Sequence, residues 1–380
     1  MAERPQLNLI ANAEQKMLAE TARKLIEEKA PVARLRELRK PDHPKGFSRA
    51  LYSEMAELGW TALLIPEAYE GLGLGLFDLA CVLESLGREL APEPVHTSAL
   101  LGAYPILAGQ SEELKQRFLP GIASGDAIVT LAYEESGLRD YFDRPSTSIS
   151  AYNAGYVLNG TKIQVADALV ADAFIVTCRS AATDSLAMVL VEANSDGVSI
   201  ERQQRVDSRA VGIVTFENVD VAEDEVLSLE AGPLFNKTLD HAAVGLAAEM
   251  LGAAEAAFEE TLAYLKERVQ FDVPIGSFQA LQHRAATLYC ELELLRSAVY
   301  GAAAAADQAP ESLPRLAALA KARANETFLH VAKEAIQMHG GIGMTDECDI
   351  GFYLKRAQAA AWSLGNTSYY RRRWAELNGY

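Results

Sequence analysis

Two stretches in the last third of the chain carry residue types suited to gripping a diphosphate. ERVQFDVPIGSFQALQH (267–283) sets Arg268 beside an aromatic and an amide, and QMHGGIGMT (337–345) closes a helical run on Gly340 and Gly341. A guanidinium grips phosphate oxygens through a planar fork of donors. Glycines let the backbone approach a ligand closely, and Gln337 can hydrogen-bond an adjacent group. On spacing alone, a helix C-cap and a solvated arginine account for the same residues. A third stretch, GLGLGLF (71–77), has a superficial G-x-G-x-x-G look. It follows helix rather than strand, so it lacks the context that gives the dinucleotide fingerprint meaning, and it reads as a tight turn after IPEAYE.

The elements that must position these residues fall into three textures. In NAEQKMLAETARKLIEEKAP the apolar Met17, Leu18, Ala22, Leu25 and Ile26 recur at helical spacing until Pro31. The pattern continues through FSRALYSEMAELGW, FDLACVLESLGREL and TSALLGAYPILAGQSEELKQRFLPGIASG. Beyond Gly125 come short runs rich in Val, Ile, Thr and aromatics: AIVTLAYEE, YVLNGTKIQV, AFIVTCR, LAMVLVEA, VSIERQQ and VGIVTFENVDV. They are separated by turn residues, with no helical pattern between them, which predicts a sheet or barrel and disfavours a parallel βαβ sheet. From Pro233 the helical period returns on Ala247, Leu251, Ala254, Phe258, Leu262, Leu265 and Val269, with Pro274 as a breaker. Ser277 reads as the N-cap of the next helix, and a further long helix ends at Gly340 and Gly341. The fold class is α+β, with a helical N-terminal domain (1–124), a middle β domain (125–229) and a C-terminal helical bundle (230–380).

Charge narrows the function. The 35 basic and 52 acidic residues leave a net charge of −17, which argues against nucleic acid, whose binding needs a basic footprint. The RRR at 371–373 reads as a solvated or subunit-facing helix surface. Cys81, Cys178, Cys290 and Cys348 are dispersed without a C-x-x-C pair, so neither a zinc site nor a disulfide framework is expected, and a reducing cytoplasm fits. The first residues lack a signal-peptide core, and no apolar run nears the roughly 18 residues of a membrane span.

ELGWTALLIPEAYEGLGLG, YVLNGTKIQV, VGIVTFENVDV, ERVQF…PIGSFQALQH and QMHGGIG, in this order across an α–β–α chain, resemble the acyl-CoA dehydrogenase family over nearly the whole length. The resemblance implies a β-barrel-like middle domain, a C-terminal four-helix bundle, bound FAD and usually a tetramer. It implies that a neighbouring subunit's bundle grips part of each FAD, with Arg268, Phe271 and Gln279 forming one part of that grip and Gln337, Gly340 and Gly341 the other. The chemistry it implies is α,β-dehydrogenation of an acyl-CoA thioester, with electrons passed on to an electron-transfer flavoprotein. A desolvated carboxylate takes the α proton while the β hydrogen leaves as hydride to the flavin.

The family's carboxylate is missing at both of its usual places. About two dozen residues beyond the double glycine, within WSLGNTSYY (362–370), the position falls on Leu364, or on Gly365 if one residue is inserted. The alternative position on the first bundle helix falls on Ala242. Asp240, just upstream with His241, is a weak candidate for a displaced base, the plainer reading being a solvated or capping aspartate near a helix start. Glu249 reads as a structural hydrogen-bonding group. Around the flavin ring, the family's threonine is replaced by Tyr133, its tryptophan by Gln164 and its next threonine by Ala166.

The nucleotide half of the site is thus retained and the ring half altered. This pattern resembles the smaller subunits of heteromeric acyl-CoA dehydrogenases, and implies a second subunit of the same fold as partner. The rivals are a self-sufficient homotetrameric dehydrogenase, a flavin-dependent monooxygenase or oxidase, and a paralogue that has lost catalysis.

Overall fold

The structure is a computed structural model describing residues 6–40, 43, 46–137 and 145–380. Helix α1 (Ala13–Lys29) starts at a reciprocal cap in which the Asn12 side chain accepts from the Gln15 backbone and the Gln15 side chain accepts from Asn12. The short α2 (Leu35–Leu38), α3 (Arg49–Glu57) and α4 (Leu76–Arg88) follow. Next come a π-helical segment at Thr97–Ala103, α5 (Tyr104–Ala108) and α6 (Glu112–Ala123). Serines 48 and 111 cap α3 and α6.

Among the described residues eight strands come next: β1 (Val129–Ala132), β2 (Ser148–Tyr152), β3 (Gly155–Ala166), β4 (Ala173–Ser180), β5 (Leu186–Glu192), β6 (Val198–Gln203), β7 (Val211–Ala222) and β8 (Val226–Ser228). Helix α7 (Gly232–Glu267) leads to a hairpin, β9 (Val269–Gln270) and β10 (Val273–Pro274). Helices α8 (Gln279–Gln308), α9 (Leu313–His339), α10 (Ile350–Trp362) and α11 (Thr367–Leu377) complete the chain.

The chain forms two compact units, and the N-terminal helices divide between them. One unit holds α1, α4, α7 from Ala243 onward, the hairpin and α8 to α11; the other holds α3, α5, α6, the sheet and the start of α7. In the sheet unit the strands run β6-β7-β3-β2-β4-β5-β8, with β1 also on β4. β1 and β2 share one edge of β4, both parallel to it: β1 takes Ala173–Val176 and β2 takes Arg179–Ser180. These are parallel pairings without βαβ crossovers, which the strand pattern had not suggested. The core is filled by alternate residues such as Phe174, Val176, Val189, Val214 and Phe216. β2 and β8, absent from the sequence-based reading, are short strands with no apolar alternation.

In the bundle unit, α4 and α7 touch backbone to backbone. A Cβ on Gly252 would stand 1.8 Å from the carbonyl oxygen of Glu84, and one on Gly87 would stand 2.0 Å from that of Glu249. Only hydrogen fits at both points of this reciprocal crossing. Glu249 is buried and paired with Arg356 at 2.9 Å, the structural role expected of it. Ser277 is not the cap of α8. It lies in a 3-10 turn, Ile275–Ser277, its Oγ donating to the Pro274 carbonyl at 2.7 Å, and α8 begins two residues later after Phe278. The rigid turn at Pro274 displaces the start. The glycine turn at 71–75 folds back on 62–65, where Leu72, Gly73 and Leu74 donate to the carbonyls of Ala62, Ile65 and Leu63. A Cβ on Gly71 would lie 1.9 Å from the Ile65 oxygen, so this glycine serves a close approach within the fold. Among the described residues no helix is long and apolar enough to cross a membrane.

Candidate functional site

The nucleotide-type residues lie in the bundle unit and face solvent. Helix α7 ends at Glu267, and the chain reverses over Phe271 and Asp272, both in the left-handed region at φ 55° and 63°. This tight turn leaves Phe271 85% exposed, its ring edge-on to Phe278 at 6.1 Å. Arg268 is exposed and makes no ion pair among the described residues, although acidic groups outnumber basic ones in the chain by 52 to 35. Gln279 is exposed at the first turn of α8, where backbone N–H groups have no helical partner.

The second motif ends α9. Gly340 has φ 68° and ψ −143°, a conformation open to glycine, and a Cβ on Gly340 or Gly341 would meet nothing within 4 Å. Gln337 is exposed beside them. The two motifs are neighbours, because Tyr264, one turn before Arg268, stacks on His339 with ring centroids 4.4 Å apart. An unpaired guanidinium, an exposed aromatic, a helix start and an open double glycine therefore share one region. The guanidinium and the first N–H groups of α8 are available to a phosphate-bearing ligand, while the Gly340 N–H is held by the carbonyls of Ile336 and Gln337.

The expected positions of the carboxylate hold buried, non-ionisable residues. Leu364 is buried with φ 59°, and Gly365 has φ 114°. The Tyr370 hydroxyl donates to the Leu364 carbonyl at 2.6 Å. The Gly365 carbonyl accepts from Lys321 Nζ at 3.3 Å and from Asn325 at 3.4 Å. Lys321 is wholly buried and also donates to Asn325 Oδ1 at 2.6 Å and to the Ala360 carbonyl at 3.0 Å. Burial, with Arg356 adding to it, holds this ammonium well below its usual range. Sequence reasoning missed Lys321 and Tyr370; the one signal was a lysine and an asparagine four residues apart on the Ala-rich α9. Ala242 is fully buried, its carbonyl 2.9 Å from His96 Nε2.

Asp240 is neither solvated nor a cap. Helix α7 starts at Gly232, which puts Asp240 in the third turn, and it is 2% exposed. Burial, and then the charge of Asp240, push the Tyr104 phenol up to about 12. Tyr104 stacks on His241 at 3.9 Å. Burial pushes the His241 imidazole down to about 4, and its Nδ1 lies 2.8 Å from the Lys237 carbonyl. His241 is thus neutral near pH 7, and Asp240 lies in a buried polar cluster.

The ring-type positions lie in the sheet unit with their local donors in use. Tyr133 is buried, donates its hydroxyl to Glu134 at 2.9 Å, and tilts against Phe235 at 5.9 Å. Burial pushes the Glu134 carboxyl up to about 7, against the bond from Tyr133 and the charge of Arg205. Gln164 has φ 52°, in a stretch where β3 slips register against β7, and its N–H donates to the Gln203 side chain at 2.7 Å. Ala166 has no polar side-chain atom. The nucleotide half therefore fits FAD, whereas the ring half offers few uncommitted donors to a flavin.

Three family descriptions match the chain: acyl-CoA dehydrogenase N-terminal domain over residues 12–126, middle domain over 134–219 and C-terminal domain over 232–377. Acyl-CoA dehydrogenase IpdE2 of Mycolicibacterium smegmatis is 32% identical over 353 residues, covering 93% of this chain and 94% of the relative. Among solved structures, a variant of the Tcur3481-Tcur3483 steroid ACAD is 32% identical with TM-score 0.87, covering 96% of this chain and 97% of that one. The ChsE4-ChsE5 complex from Mycobacterium tuberculosis is 27% identical with TM-score 0.89, covering 98% and 100%.

Proposed function

Because the chain belongs to the acyl-CoA dehydrogenase family, whose members are FAD-dependent oxidoreductases of acyl-CoA, we propose that it is the non-catalytic subunit of a heteromeric acyl-CoA dehydrogenase. In this reading it lends its bundle surface to the FAD of a second subunit of the same fold. The observation that carries the proposal is the residue at the family's carboxylate position, the buried and non-ionisable Leu364. Ala242, fully buried, leaves the other position apolar as well.

When bound, FAD supplies the hydride acceptor. The residues of this chain would hold the cofactor: Arg268 at the diphosphate, Phe271 and Gln279 beside it, and Gln337, Gly340 and Gly341 along the adjoining turn. The partner would supply the carboxylate that removes the α proton and most of the ring pocket. The substrate is an acyl-CoA thioester and the acceptor an electron-transfer flavoprotein. The heteromeric steroid ACAD and the ChsE4-ChsE5 complex, both similar along almost the whole chain, lend the reading support.

The test is FAD per polypeptide, measured by absorbance after denaturation, for the chain alone and with a flavoprotein of the same fold encoded beside it. Little FAD alone, rising to about one per pair, is the expected result. One FAD per chain in the homomer overturns the proposal. The burial of Asp240 favours a second reading, a self-sufficient dehydrogenase with Asp240 as base. That reading needs full FAD occupancy and turnover with an artificial acceptor, and Asp240→Asn must abolish the turnover.

A further inference from the structure

Glu260 on α7, His339 at the end of α9 and Cys348 in the turn before α10 are scattered in the sequence. Yet one ligand atom of each lies within 4.8 Å of the other two. All three belong to the bundle unit. His339 is 5% exposed, and its Nδ1 is 2.8 Å from the Ala335 carbonyl. A carbonyl can only accept, so Nδ1 carries the proton and Nε2 keeps a lone pair, the tautomer a metal-binding imidazole needs. The ring plane is fixed by the stack on Tyr264.

Among the described residues Nε2 meets no hydrogen-bond donor, and the Glu260 carboxylate meets neither a donor nor a cation. Burial, followed by the charges of Asp349 and Glu89, pushes the Glu260 carboxyl up to about 7. Burial also holds the His339 imidazole below its ordinary range, against the bond to Ala335. Two acceptors thus face one another beside a thiol, an arrangement that a bound cation would satisfy.

The geometry points to a three-ligand site for a divalent transition metal, zinc foremost, formed by Glu260, His339 and Cys348. Mixed carboxylate, imidazole and thiolate ligation suits zinc. Bond lengths of about 2.0–2.3 Å put tetrahedral ligand atoms roughly 3.3–3.8 Å apart, so small side-chain rotations close the set. A cavity of about 350 Å³ reaches Glu260, with Glu89, Asp349, Arg23 and Arg88 also in its lining. A second, of about 290 Å³, opens on Cys348. The ion would tie His339 to Cys348 across the turn that contains Gly340 and Gly341, a structural staple. Sequence spacing hid this site because its ligands come from three separate elements. It stands whether or not the chain serves a partner's FAD.

The test uses the full, untagged chain in a Cys290→Ser background, which removes an exposed competing thiol. Cobalt(II) is titrated as a spectroscopic probe and then displaced with zinc. The expected result is one Co²⁺ per chain with thiolate-to-metal charge-transfer absorption. Cys348→Ser should abolish the band. Glu260→Gln, on a partly buried side chain, should weaken binding more than about ten-fold, as loss of even an outer-shell partner can do. Absence of the band, its persistence in Cys348→Ser, or unchanged affinity in Glu260→Gln overturns the assignment.

Discussion

Glu135→Gln breaks an ion pair enclosed in the sheet unit, next to Tyr133 and Glu134. Glu135 Oε1 accepts from Lys162 Nζ at 2.6 Å and from the Thr147 N–H at 3.1 Å, and Oε2 accepts from the Ser146 N–H at 2.6 Å. The two side chains are 4% and 0% exposed. Burial alone would raise this carboxyl; the Lys162 ammonium and the hydrogen bonds outweigh it and hold the group at about 2 rather than 4.5. At roughly 1.4 kcal/mol per pH unit, that is about 3 kcal/mol at neutral pH. Burial lowers Lys162 in turn and offsets part of the gain, leaving about 2–3 kcal/mol. The folded-state value is depressed, so this stability is present above pH 4.5 and is lost as pH falls from 4.5 toward 2. Urea unfolding followed through Trp60, buried in the same unit, should show Glu135→Gln less stable by about 2–3 kcal/mol at neutral pH. The gap should narrow in acid. Lys162→Met should show a similar loss, and the double variant should regain much of it. A Glu135→Gln chain within about 0.5 kcal/mol of the parent, or a gap independent of pH, refutes the reasoning.

Gly252→Ala drives a methyl into the Glu84 carbonyl at 1.8 Å and should cost about 3 kcal/mol or more in thermal or urea unfolding. Tyr370→Phe removes the 2.6 Å bond to the Leu364 carbonyl and should cost about 1–3 kcal/mol, seen in the same measurements. Arg268→Ala should change stability by less than about 0.5 kcal/mol, because the side chain is exposed. In the complex with the partner it should nonetheless lower FAD affinity by about ten-fold or more, measured by flavin release on dilution.

The long periodic helices and the β-branched strands were legible because each carries its pattern within one segment. The runs that became β3, β4, β5, β6 and β7 all stood out. β2 and β8 were not legible, since SISAY and VLS owe their strand state to the neighbours they pair with. Asp240 was misread because DHAA looks locally like a helix start, whereas the helix had begun at Gly232. Lys321 reads as a surface lysine until the fold surrounds it with three oxygens. Of the candidate site, the phosphate-type motifs were visible as contiguous words. The Glu260, His339 and Cys348 cluster was not, because it exists only where α7 and the two ends of the 340–347 turn converge.

The two halves of the site differ in how they are tied to the rest of the chain, and that difference explains how one could persist without the other. Arg268, Phe271 and Gly341 are exposed and contribute little to bundle packing, so an external ligand is the physical role left for them. Leu364 and Gly365 are the reverse: their carbonyls hold Tyr370, Lys321 and Asn325 in place, and a Cβ on Gly365 would press on the Tyr370 ring at 2.8 Å. Leu364→Glu would place a carboxylate at a position that is buried in this chain. On the proposed reading the proton acceptor comes from another subunit, on its rival from the buried Asp240, and FAD occupancy in the isolated chain separates these two readings.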